Sequence, residues 1–281
     1  MFAQSVRMGV AGALRWKHCG ALATRFYKDS PISREQIYGE LRKSGVVVVM
    51  NPKHVTTAKH LVTTMWEVYQ AGFVAEATMR INLEIIKEAM PELRRLRQQE
   101  FEHDRYFVLG VGSIINNEEL AQAQELGFDM LVGPANMVGA GYSPAYWLGK
   151  AQKQGFFVAP GVFTPTELQS FLEDLNFSPD AIKIFPADSH GPAGIKGLLA
   201  PFKRKRHAGR IIMPTGGVNC ETGPKYLEAI SATGFAPILG MSAPLELVEK
   251  ENAPGNAEVI RRSLRAFKTT FLQKMASLSG R

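Results

Sequence analysis

Cysteine is nearly missing from this chain: Cys19 and Cys220 are the only two in 281 residues. They cannot make a disulfide framework, and neither sits in a C-x-x-C spacing that would hold zinc. A reducing compartment and a protein without a zinc site are therefore expected. Long apolar runs are also missing. The most apolar stretch, Val46 to Met50, falls far short of the roughly 18 residues of a membrane span, so a soluble chain with no membrane partner is expected. Acidic residues are absent from the first 28 positions, which hold Arg7, Arg15, Lys17, Arg25 and Lys28. That segment carries +5 of the net +7, and the remainder is nearly neutral at +2. Near-neutrality of the body argues against a nucleic-acid partner, which would need a broad electrostatic footprint.

The basic leader mixes arginine with small and apolar residues (Met8, Val10, Ala11, Ala13, Leu14, Trp16), the composition of an organellar transit peptide. Residues 1–30 are assigned to it, with a mitochondrion the expected destination, a plastid the second choice and the cytoplasm the third. Residues 31–281 form the remaining unit. Overall, 45% hydrophobic and 21% charged residues with 26 glycines and 16 prolines are ordinary globular usage.

From residue 32 onward, short Val/Ile/Phe-rich runs alternate with amphipathic helical stretches. Ile32 to Lys43 reads as a leading helix, with Ser33 and Gln36 placed as a capping box. Eight strand-like runs follow: Val46 to Met50, Phe73 to Ala77, Tyr106 to Gly110, Met130 to Val132, Phe156 to Ala159, Ala181 to Phe185, Arg210 to Met213 and Ala236 to Leu239. Helical candidates lie between them, Cys220 to Ala232 among them, and a last helix starts near Glu258. Eight βα repeats predict an α/β protein with a single (β/α)8 TIM barrel and an N-terminal leading helix, whose chemistry belongs at the C-terminal strand ends.

Strand side chains alternate between faces, so Glu76, Thr78 and Arg80 share one face of the second run. Helices cover the outside of a barrel, and an outward carboxylate there would be buried without water, which favours the inward placement. Lys183 stands in the middle of the sixth run. It is either a stem reaching the surface or an amine held away from water, where the neutral, nucleophilic form is favoured. With Glu76 it would supply an amine nucleophile and a proton shuttle, the pair that Schiff-base chemistry on a carbonyl requires. The seventh and eighth runs end in Thr215-Gly216-Gly217 and Gly240-Met241-Ser242. Glycines let backbone N–H groups approach an anion, and these loops are the usual phosphate site of such a barrel.

Glu76-Ala-Thr-Met-Arg80, Gly110-Val-Gly-Ser113, Ala159-Pro-Gly161 with Thr164-Pro-Thr-Glu167, Lys183-Ile-Phe-Pro186, Pro214-Thr-Gly-Gly217 and Gly240-Met-Ser242 occur in that order. Together they resemble the motifs of the 2-keto-3-deoxy-6-phosphogluconate and 4-hydroxy-2-oxoglutarate aldolase family, over roughly residues 35 to 272. The resemblance implies a class I aldolase that uses no cofactor and no metal, takes a small 2-keto-3-deoxy sugar acid, and assembles as a homotrimer. It implies that Lys183 forms the Schiff base, Glu76 is the general acid/base, Arg80 and Ser113 hold the pyruvoyl carboxylate, and Gly216, Gly217 and Ser242 meet the phosphate. Thr78, Phe185, Pro160, Thr215 and Gly240 complete the substrate-binding set it implies.

The chain departs from the family at five places, one of them the basic stretch Arg94 to Arg105, which is long for it. Asn51 stands where an arginine is common, with Lys53 a substitute, and Ser113 stands where threonine is common. Asn136 to Tyr142 is long, and His190 lies in an altered loop after the sixth strand, where a surface position is expected. The basic run Lys203 to Arg206 falls at the opposite end of the strands and is expected to be a solvated face. Cys220 is expected in the first turn of a helix. The competing readings are aldolases for 4-hydroxy-2-oxoglutarate or 2-keto-3-deoxy-6-phosphogalactonate, a phosphosugar barrel using acid/base chemistry alone, and a catalytically silent basic binding barrel.

Overall fold

A computed structural model describes residues 31–133, 144–173 and 177–279. The basic leader and the segment Asn136 to Tyr142 lie outside the described residues. The order begins with α1 (Arg34–Ser44), β1 (Val46–Val49), α2 (Ala58–Gln70), β2 (Val74–Thr78), α3 (Leu83–Glu102), β3 (Leu109–Gly112), α4 (Asn117–Leu126) and β4 (Met130–Val132). It continues through α5 (Pro144–Lys153), β5 (Phe157–Ala159), β6 (Gly161–Val162), α6 (Pro165–Leu172), β7 (Ala181–Ile184), α7 (Gly191–Leu199), β8 (Ile211–Pro214) and α8 (Gly223–Ser231). The last elements are β9 (Ala236–Pro237), β10 (Leu239–Met241), α9 (Glu246–Lys250) and α10 (Ala257–Ser279). Among the described residues no helix is long and apolar enough to cross a membrane.

All strand pairs are parallel and fall into two sheets, β10-β1-β2-β3-β4-β5 and β6-β7-β8-β9. Pro160 alone separates β5 from β6. It lacks an N–H for the ladder, yet its carbonyl accepts a bond of 2.8 Å from the Lys183 amide. Ile238 alone separates β9 from β10. Its amide donates to Ile212 at 3.0 Å while the next amide, of Leu239, donates to Gly45 at 3.0 Å.

Period-two alternation divides the strands between two cores. One face packs under the helices, with Val48, Ala75, Ala77, Val111, Leu131, Val158, Ile182, Ile184 and Ile212 in a single large cluster. The inner face packs strand against strand: Val47, Val74, Val108, Met130, Val132, Phe157, Ala159, Ala181, Ile211, Met213 and Ile238 meet Ile37 and Leu41 of α1. The capping box that starts α1 forms as the sequence predicts, with Ser33 and Gln36 bonding reciprocally. Helix α1 thereby fills the N-terminal ends of the strands with apolar side chains, leaving polar chemistry for the opposite ends.

A buried ion pair braces the outer layer. Arg97 of α3, 2% exposed, donates to Asp129 at 2.8 Å and to the Gly127 carbonyl at 2.8 Å. The other Asp129 oxygen accepts the Leu109 amide at 2.8 Å, fixing where β3 begins. Removing one partner strands a buried charge, so Asp129→Ala should cost about 3–5 kcal/mol, read as a lowered urea midpoint.

Most boundaries shift by one or two residues from the sequence reading, and some shift for an identifiable reason. The third strand starts at Leu109 rather than Tyr106 and continues through both glycines to Gly112. Helix α8 begins at Gly223 because the Asn219 side chain accepts the Glu221 and Thr222 amides at 2.9 and 3.0 Å and holds a turn there. Cys220 therefore lies in that turn and not in a helix. Helix α7 starts at Gly191, with a proline in its first turn.

Candidate functional site

The inner face changes character toward the C-terminal strand ends. Two residues beyond Val74 stands Glu76, and two beyond Ala181 stands Lys183; they are 1% and 4% exposed. Other inner positions at this level are small: Gly110 and Gly112 follow Val108, Gly161 follows Ala159, and Gly240 follows Ile238. In register, Glu76 lies beside Gly110 and Val49, and Lys183 lies between Gly161 and Met213. Small neighbours give both long side chains room inside.

Burial raises the Glu76 pKa above the ordinary carboxylate value, and the nearby positive charge of Lys183 partly opposes that rise. The Glu76 Oε2 atom has no hydrogen-bond partner among the described residues. The Lys183 ammonium lies 5.2 Å from the centre of the Phe185 ring, within cation–π range. Phe185 is itself 37% exposed, so the ring beside the Lys183 amine is open to solvent.

The remaining predicted residues lie at or just beyond the C-terminal ends of strands of the same sheets. Thr78 is buried, and its hydroxyl accepts the Arg80 amide at 3.2 Å. Arg80 reaches outward, donating to the Ser113 carbonyl at 3.3 Å and pairing with Glu119. Ser113 sits at φ 60°, the left-handed region that non-glycine residues occupy at a cost. Gly216 and Gly217 adopt φ of 93° and 67°, and the loop is stitched to the end of β7 by Ala187 to Thr215 and Asp188 to Gly216 amide bonds of 2.8 and 3.2 Å. A Cβ on Gly240 would lie 2.2 Å from the Thr215 hydroxyl, so the β8 and β10 ends approach as closely as glycine allows. Ser242 is exposed and leads into a short 3-10 turn over Ala243–Leu245. Pro160 contributes the carbonyl that sets the Lys183 backbone.

A family model described as KDPG and KHG aldolase matches residues 37–251. The chain belongs to that family. Similar curated proteins include 2-dehydro-3-deoxy-phosphogluconate aldolases of Zymomonas mobilis, 32% identical over 43% of this chain and 51% of that protein, and of Treponema pallidum, 30% identical over 43% and 50%. The chain thus spans about half the length of the curated relatives it matches. A crystal structure of KDPG aldolase from Legionella pneumophila, holding pyruvate as a covalent carbinolamine, superposes with a TM-score of 0.60 at 20% identity, covering 84% of this chain and 98% of that one. A designed cube-shaped protein cage built from fused oligomeric domains superposes at 0.54 and 22% identity, covering 85% and 80%.

Beyond the end of β1, Asn51, Lys53 and His54 converge on one carboxylate. Lys53 pairs with Glu249 of α9 at 3.5 Å. Asn51 donates to the same carboxylate at 3.1 Å, and the fully buried His54 ring approaches it at 2.8 Å. Burial lowers the His54 pKa, and Glu249 opposes that shift. Neither His54 nor Glu249 carries a sequence signal, because their pairing depends on a contact across nearly 200 positions. His190 is half-buried: its Nε2 lies 2.8 Å from the Phe163 carbonyl and its ring packs on Phe163. That contact ties the loop after β6 to the start of α7. The basic run Lys203 to Arg206 is exposed at the N-terminal strand ends, where Arg206 and Arg204 share Glu173.

Glycine at 112 is a requirement of the site rather than of a turn. A Cβ there would lie 2.0 Å from the Glu76 Oε1 atom. Gly112→Ala should therefore displace the carboxylate while the fold persists. Misplacement by about 1 Å can cost on the order of 10²-fold, to be read in turnover with the melting temperature as control.

Proposed function

We propose that this chain is a class I aldolase, a carbon-carbon lyase, in which β1 to β10 close into the eight staves of a (β/α)8 barrel around Lys183 and Glu76. The observation that carries this reading is that an amine and a carboxylate, both buried and electrostatically coupled, share the inner face at the C-terminal strand ends. The substrate we propose is 2-keto-3-deoxy-6-phosphogluconate. The Lys183 amine adds to its C2 ketone, and Glu76 moves the protons that let the carbinolamine lose water. The resulting iminium draws electrons as Glu76 takes the C4 hydroxyl proton and the C3–C4 bond breaks. Glyceraldehyde 3-phosphate leaves; the enamine carbon is protonated, and hydrolysis returns pyruvate and free Lys183. Arg80 and Ser113 receive the carboxylate at one side, and the Gly216-Gly217 and Ser242 loops receive the phosphate at the other.

Borohydride treatment with pyruvate tests the imine, because only an imine is reduced to a stable adduct on Lys183. Absence of an adduct would favour acid/base chemistry without covalent attachment, or a silent barrel. Cleavage rates with 2-keto-3-deoxy-6-phosphogluconate, its galactonate epimer and 4-hydroxy-2-oxoglutarate then fix the distal group. The expected assembly is a homotrimer, tested by sedimentation. Residues 1–30 are proposed as a mitochondrial leader, and a fluorescent reporter carrying them that stays diffuse in the cytosol overturns this.

A further inference from the structure

We propose that Glu119 is a positioning residue that holds the Arg80 guanidinium where the substrate carboxylate docks. This rests on the aldolase reading for the identity of that carboxylate. The two oxygens of Glu119 face different tasks. Oε2 accepts the Ile115 amide at 3.0 Å, closing the loop that contains the left-handed Ser113, while Oε1 pairs with Arg80. The same Arg80 nitrogen, Nη2, donates to the Ser113 carbonyl at 3.3 Å. Among the described residues its Nε and Nη1 atoms make no hydrogen bond. Nη2 is thus held by the protein, while Nε and Nη1 keep N–H groups that can each donate a charge-assisted hydrogen bond to an incoming carboxylate.

Helix α4 explains why the geometry is rigid. Asn116 caps it by accepting the Glu119 amide at 2.8 Å, so the backbone of Glu119 is fixed before its side chain reaches out. The Glu119 side chain is 17% exposed and that of Arg80 46%. Left without this partner, a long, half-exposed arginine would populate many rotamers, and ordering it would be charged to each binding event.

Two effects of Glu119 oppose each other. Its negative charge repels an incoming carboxylate, worth on the order of a factor of three at a solvated edge. Its anchoring of Arg80 should outweigh that, since a lost charge-assisted hydrogen bond is worth about tenfold or more. Removing the carboxylate is therefore expected to weaken binding of an anionic ligand, the reverse of the charge effect alone.

Oxamate, isosteric with pyruvate but carrying an unreactive amide carbonyl, reads the carboxylate site without requiring an imine. By titration calorimetry, Glu119→Ala should raise its Kd about tenfold, on the scale of one charge-assisted hydrogen bond. Arg80→Ala should raise it at least as much, and the double variant should match Arg80→Ala alone. Asn116→Ala removes the cap that fixes the Glu119 backbone but keeps the carboxylate on Arg80, so it should raise Kd by clearly less than Glu119→Ala does. Should Glu119→Ala fail to fold, Glu119→Gln keeps the volume, removes the charge and should weaken binding in the same direction. The proposal is overturned if Glu119→Ala binds oxamate equally or more tightly, if its effect multiplies with that of Arg80→Ala, if Asn116→Ala weakens binding as much, or if the parent protein shows no saturable oxamate binding. Borohydride trapping with pyruvate separates the two readings: oxamate binding without a trapped adduct defeats the imine chemistry and leaves the role of Glu119 to the titrations.

Discussion

Lys183→Arg should abolish pyruvate trapping and lower cleavage by on the order of 10³-fold or more, the scale on which removing a covalent nucleophile acts, while the protein stays folded. Imine formation needs a lone pair on the Lys183 nitrogen. Arginine keeps a positive charge facing Glu76 but does not release its proton in proteins, so the charge survives and the nucleophile does not. Space is available for the change. Gly161 lies beside Lys183 in register and presents no side chain, and the exposed Phe185 ring bounds the cation on its outer side. Burying the bulkier guanidinium will cost some stability, so the control is the far-ultraviolet spectrum together with a melting temperature that falls by only a few degrees. Near-normal turnover in this variant would defeat the Schiff-base reading, whatever the state of the other site residues.

Much of the fold was legible because it depends on local periodicity. Alternation along Val74 to Thr78 favoured an inward Glu76, since a strand has only two faces and one of them lies under helices; for Lys183 alternation left both a surface stem and an inner amine open, and the structure buries it two residues beyond the inner-face Ala181. The leading helix announced itself through Ser33 and Gln36, whose bonds are made within four residues. What escaped depended on distant partners. Gly110 and Gly112 look like the end of a strand, yet β3 continues through them: a Cβ at Gly110 would meet the Ala75 carbonyl and the Met130 side chain, and one at Gly112 the Glu76 side chain. The expected role of Lys53 as the family arginine's substitute is not what its side chain does, since Glu249 reaches it, Asn51 and His54 together from α9. Glu119 gave no signal as one of many helix-start acids; only its second oxygen, on Arg80, distinguishes it from an ordinary cap. The left-handed Ser113 is likewise a product of the loop that closes over it rather than of its own preference.

Glu76→Gln should lower turnover by about 10² to 10⁴-fold, the usual worth of general acid/base assistance, with the pyruvate adduct still trappable on Lys183. The amide keeps the size that Gly110 and Gly112 accommodate, so the loss reports the missing base and not a displaced backbone. The pH profile sharpens the test. Glu76 must be ionised to take the C4 hydroxyl proton, and burial raises its pKa above the ordinary 4.5, only partly offset by Lys183. In the parent enzyme kcat/KM should therefore rise with pH through an apparent value above 4.5 that belongs to the Glu76 and Lys183 pair, and that limb should vanish in the glutamine variant. Stability carries the opposite sign. The folded protein keeps a proton that the unfolded chain releases, so the parent loses stability as pH climbs from 4.5 through the folded value. Glutamine has no such proton, and the melting temperature of the variant relative to the parent should increase between pH 5 and pH 8. A glutamine variant with full activity and an unchanged pH limb would assign the proton transfer to another group, and a stability difference that does not change with pH would show that Glu76 is not held in its neutral form by burial.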